Sequence, residues 1–127
     1  MCQSGKIRRK GVSMELDLLN ASILILKPKQ SFLDWINSID HEMVLSMKEL
    51  VDEECGLETY LIPDFEDLSK AKNWLKKHYK GLFEEKLAGW SQDENDWPEN
   101  LTYKLFTEWF DIEFNLMVFD YRTPPKE

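Results

Sequence analysis

Residues 100–119 read N-L-T-Y-K-L-F-T-E-W-F-D-I-E-F-N-L-M-V-F, and the spacing of their apolar residues changes partway along. Leu105, Phe106, Trp109 and Phe110 recur at three and four, the period of one helix face. From there the period is two. Phe114, Leu116 and Val118 face one way, and Asn115, Met117 and Phe119 face the other. A helix that hands over to a strand within one short stretch excludes an all-helical and an all-β chain. Asn100 or Thr102 supplies the side-chain oxygen that caps the helix.

The same two periods organise the rest. Ala21-Ser-Ile-Leu-Ile-Leu-Lys27 is apolar at both parities, as expected of a central strand, and Pro28 stops its pairing. Ser31 then stands where an N-cap belongs, and Phe32, Trp35, Ile36 and Ile39 make an amphipathic helix. Ser46 and Glu49 have capping-box spacing ahead of Met47, Leu50 and Val51. Asp52-Glu53-Glu54 then places three negative charges at the unfavourable end of that helix dipole. Cys55-Gly56 turns the chain into a second strand, Glu58–Ile62, closed by Pro63. Asp67 or Ser69 caps a long helix in which Leu68, Ala71, Leu75, Tyr79, Leu82 and Leu87 share a face. Gly81 weakens that helix or bends it.

The order β-α-α-β-α-α-β predicts an α+β fold, with a small three-stranded mixed sheet against helices. The first two strands are expected to run parallel through a right-handed crossover, and the last antiparallel. At 127 residues the chain fits one domain, read here as 14–123. Residues 1–13 lack apolar periodicity and read as a disordered basic tail that ends at a second candidate start, Met14. The alternative is a basic arm for an anionic surface. Residues 124–127 are a short tail.

The net charge of −8 conceals a division. Residues 1–13 carry Lys6, Arg8, Arg9 and Lys10 and no acid, and the remainder holds 24 acidic and 12 basic residues. A body of that sign repels phosphate, so nucleic acid is an improbable partner and a basic protein is favoured. Two cysteines, Cys2 and Cys55, make no disulfide framework, which suits a cytoplasmic protein. The longest apolar run, Ala21–Leu26, is far short of the ~20 residues of a membrane helix, and no apolar segment follows the N-terminal charges to make a signal.

Signatures of chemistry are missing. There is no H-E-x-x-H, C-x-x-C, glycine-rich phosphate loop or G-x-S-x-G. Asp93-Glu-Asn95-Asp-Trp97-Pro98 begins like a calcium loop, but puts Trp at a ligand position and Pro where the turn needs Gly. His78 reads as a packing residue and His41 as a helix-end residue. No catalytic residue, metal or cofactor is assigned.

Between Trp90 and Tyr121, nine of 32 residues are aromatic and eight are acidic, against one lysine, Lys104. Trp97, in the polar loop 91–100, either plugs the core or stands exposed for binding. Around it lie Asp93, Glu94, Asp96 and Glu99, with Glu108 and Asp111 further on. These seven residues are the candidate binding site. Five lysines between 70 and 80 form the opposite charge feature. The leading reading is a non-enzymatic acidic binding or regulatory module that contacts a protein partner. The alternative is a small enzyme or ligand-binding protein with a carboxylate-lined pocket near Trp97 and Trp109.

Five phrases are specific as a set: L-K-P-K-Q-S-F-L-D-W-I-N-S (26–38), T-Y-L-I-P-D-F (59–65), L-F-E-E-K-L-A-G-W (82–90), D-W-P-E-N (96–100) and E-W-F-D-I-E-F (108–114). Across residues 21–120 the chain resembles a family of small, uncharacterised bacterial proteins. The resemblance implies a bacterial, cytosolic, single-domain protein that begins near Met14, and it brings no activity. The family often has Arg where Leu101 stands and His-Ser where Asn115-Leu116 stand. Both departures remove polar groups, so a family site at those positions would be lost here.

Overall fold

The structure, a computed structural model, describes residues 17–39, 44–54 and 57–122. In chain order the elements are β1 (Asp17–Leu18), β2 (Ser22–Pro28), α1 (Gln30–Ile39), α2 (Met47–Glu49) with a π-helical turn at Leu50–Glu54, β3 (Glu58–Ile62), α3 (Leu68–Ala88), a 3-10 turn at Glu94–Asp96, α4 (Tyr103–Trp109), β4 (Phe110–Asn115) and β5 (Phe119–Asp120). The fold is α+β, with the expected β-α-α-β-α-α-β run at its centre. Strands β1 and β5 add a short two-stranded ribbon outside it. The proposed tails, His41 and both cysteines lie outside the described residues.

The sheet is antiparallel throughout, not mixed. Its order is β3-β2-β4, and β2 pairs antiparallel with both neighbours. The expected parallel crossover between β2 and β3 is not formed: a connection as long as the two helical segments between them can return in either direction, and here it returns antiparallel. Strand β4 begins directly after the last residue of α4. Phe110, assigned by period to the helix, is therefore the first residue of that strand. Its pairing with β2 ends at Asn115, and residues 116–118 lead to β5.

Register separates the two faces of the sheet. Leu24 lies between Tyr60 and Phe114, and Leu26 between Glu58 and Ile112. This face meets the helices, and Leu24 and Leu26 are fully buried. Phe32, Leu33 and Ile36 of α1, Leu75, Phe83 and Leu87 of α3, and Phe106 and Trp109 of α4 close over it. Aromatic pairs run through the centre, with Phe32–Phe110 ring centroids 4.7 Å apart, Phe83–Phe106 5.4 Å and Phe106–Phe110 5.4 Å. Each such pair adds about 0.5–1.5 kcal/mol beyond its area burial.

Local chemistry sets most helix starts. Ser46 and Glu49 form the full capping box, with Glu49 N–H donating to Ser46 Oγ at 3.2 Å and Ser46 N–H to Glu49 Oε1 at 2.9 Å. Asp67 caps α3 by accepting from Ser69 N–H at 2.8 Å, and Thr102 caps α4 by accepting from Leu105 N–H at 3.1 Å. Ser31 is not a cap. Helix α1 begins one residue earlier, and the Lys29 carbonyl accepts from Phe32 and Leu33 N–H. Lys29 also donates its own N–H to Trp109 O at 2.8 Å and Nζ to Thr107 O at 3.2 Å. A cation at the last carbonyls of α4 is favoured by the helix dipole, and it fastens α1 to α4.

Candidate functional site

Loop 91–99 is built around two indoles. Trp97 Nε1 donates to Ser91 O at 2.9 Å, and Trp35 Nε1, from α1, donates to Asp96 O at 2.8 Å. Inside the loop, Ser91 Oγ donates to Asp96 Oδ2 at 2.7 Å, and Asn95 N–H donates to Asp93 Oδ1 at 2.9 Å. Asp96 N–H to Asp93 O and Trp97 N–H to Glu94 O complete the 3-10 turn. Trp97 is half-buried and packs against the core with its polar edge satisfied. It anchors the loop.

The seven candidate residues therefore occupy three places. Asp93, Glu94, Asp96, Glu99 and Trp97 share the loop, and all four carboxylates are exposed. Glu108 is exposed on α4. Asp111 is on β4, opposite Lys27 in register and 3.9 Å from Lys29 Nζ. No hydrogen bond or ion pair among the described residues joins Glu108 or Asp111 to the loop. Trp35 makes the link instead, because its ring lies 5.8 Å from that of Trp109 while its indole N–H holds the loop. Among the described residues, no group of three or more His, Cys, Asp or Glu side chains could hold a metal ion. His78 is exposed, with its ring tilted against that of Trp74 at 4.6 Å, so it packs on the surface of α3 and not in the core.

A second surface was not foreseen. On the sheet face away from the core, Ile23 lies between Leu61 and Asn115, Ile25 between Thr59 and Glu113, and Lys27 beside Asp111. Ile23, Ile25 and Leu61 are outside the core cluster and the hydrophobics packed on it. Leu61 is 69% exposed. Lys27 Nζ meets Glu113 Oε1 at 2.8 Å, and this hydrogen bond raises the lysine pKa. The signal was in the sequence, since Ile23 and Ile25 gave β2 its second apolar parity. Apolar residues at both parities predict cover on both faces, and in the structure Ile23 and Ile25 are partly buried.

Two buried polar groups were also missed. Ser22 Oγ accepts from Phe65 N–H at 3.0 Å and donates to Leu116 O at 3.2 Å, joining the chain after β3 to the chain after β4. Lys86, buried on α3, pairs with Glu58 of β3 and lies 5.6 Å from the centre of the Phe110 ring. Tyr60 Oη reaches both Glu58 and Glu85, at 3.3 and 3.5 Å. Lys86 follows Leu75, Tyr79 and Leu82 on the core period of α3, and that is the trace it leaves in the sequence. The group latches α3 to β3.

No helix among the described residues is long and apolar enough to cross a membrane. No protein-family model, curated protein or solved structure matches the chain.

Proposed function

We propose that this protein is a non-enzymatic binding module that contacts a basic partner protein through the open face of its sheet. One observation carries the reading. Leu61, 69% exposed, pairs with Ile23 on the sheet face opposite Leu24 and Leu26, and Ile23 and Ile25 on that face are partly buried and outside the core cluster. Apolar side chains gathered on an open face favour a protein contact. The acidic residues act at longer range. Asp93, Glu94, Asp96, Glu99, Glu108 and Asp111 are all exposed on a chain of net charge −8. A field of that sign raises the encounter rate with a basic partner and weakens with salt. Trp97 holds the loop acids in place. A cytoplasmic setting accords with the two-cysteine content.

Affinity capture on the immobilised full chain tests the reading, with wild type and Leu61→Glu compared at 50 and 300 mM NaCl. Wild type is expected to capture a specific protein that salt weakens and Leu61→Glu loses, while both forms melt at the same temperature. Equal capture by both forms, or no specific capture by wild type at either salt, would count against it.

A further inference from the structure

We infer that the outward face of α3 is a docking strip for a short acidic segment of a protein, separate from the open sheet face. Lys72, Lys76 and Lys80 follow one another at i,i+4, and Lys77, beside Lys80 at i,i+3, and Lys70, seven residues before Lys77, continue round the exposed side of the helix. All five are exposed, and none has a carboxylate within ion-pair distance among the described residues. Lys76 lies 5.9 Å from the centre of the Tyr103 ring, which orients it without neutralising it. Like charges at i,i+4 destabilise a helix, and an ordinary solvated face mixes signs, as Lys48 and Asp52 do at 2.8 Å. Here the repulsion stands, and an anion laid along the strip relieves it.

The ends of the strip limit what fits. Asp64, Glu66 and Asp67 precede it, and Glu84 and Glu85 follow. From Lys70 to Lys80 is about 15 Å along the helix, the reach of about five extended residues. A nucleic acid or an anionic membrane extends beyond the strip and would overlie the acidic flanks. A compact acidic peptide meets only the lysines. Its carboxylates pair with them, and any basic residues flanking it fall against the terminal acids and fix its register.

The test uses the full-length, nitrogen-15-labelled chain and an acetylated, amidated hexaglutamate probe, read by amide chemical shifts. Saturable shifts confined to residues 70–80 are expected at 20 mM NaCl, with affinity falling at least tenfold by 300 mM. The variant Lys70→Gln/Lys76→Gln/Lys77→Gln/Lys80→Gln, checked for an unchanged helical spectrum, should bind at least tenfold more weakly. Leu61→Glu should bind the probe like wild type, so failure of the sheet-face reading would leave this one standing. Absence of saturable shifts in wild type would overturn the inference. So would equal binding by the lysine variant, or tighter binding of a 20-nucleotide single-stranded DNA to the same amides.

Discussion

Trp109 is 9% exposed, and its ring lies 5.9 Å from Phe32, 5.8 Å from Trp35 and 5.6 Å from Phe83. It is where α1, α3 and α4 meet. Trp109→Ala removes a buried indole at that junction and should destabilise by about 3–5 kcal/mol, read from chemical or thermal unfolding. An unchanged melting temperature would mean that the three helices do not converge there. Asp120 gives a second residue-scale prediction. Its carboxylate accepts from Arg122 Nη2 at 2.7 Å, Nε at 3.0 Å and backbone N–H at 2.9 Å, and these bonds hold its pKa down to about 2. A depressed carboxylate stabilises the fold above its unfolded value, near 3.8, and that contribution is lost as pH falls through about 2. A carbon-13 carboxyl titration should place Asp120 near that value in wild type and move it back towards 3.8 in Arg122→Gln. Identical midpoints in the two proteins would rule out the pairing.

At the scale of elements, α3 is the main support of the fold, and Gly81 is its weakest position. Gly81 is exposed inside the helix, and a Cβ added there meets no atom within 4 Å. Gly81→Ala should therefore stabilise by about 0.5–1 kcal/mol, a small rise in melting temperature. A lowered melting temperature would show that the helix bends at this residue. The elements also show what the sequence could reveal. Caps are local chemistry, so Ser46 with Glu49, Asp67 and Thr102 were readable. Ser31 had the right type and spacing, yet the Lys29 carbonyl starts α1 because Lys29 is held to α4 from the other side. Phe110 fits the helix period and the strand period equally, and only its pairing with Pro28 places it in β4. Leu68 follows the α3 period but lies at the first residue of the helix, where it is 46% exposed.

Across the whole molecule, strand direction and face are long-range properties, and here the sequence misled. Two apolar parities in β2 suggested cover on both sides. Leu24 and Leu26 are fully buried, whereas Ile23 and Ile25 are only partly buried and outside the core cluster. The candidate site changed for the same reason. Composition drew attention to the rings and acids of residues 90–121, but packing takes Phe106, Trp109 and Phe110 into the core and gives Trp97 to the loop. The acids remain outside as a field. The account rests on a sheet covered on one face only. The most direct test is methyl relaxation in the full-length chain with a soluble, uncharged gadolinium chelate. Leu61 should broaden strongly, Ile23 and Ile25 measurably, and Leu24 and Leu26 hardly at all. Protection of Leu61, Ile23 and Ile25 equal to that of Leu24 and Leu26 would show that the face is covered and would contradict the account.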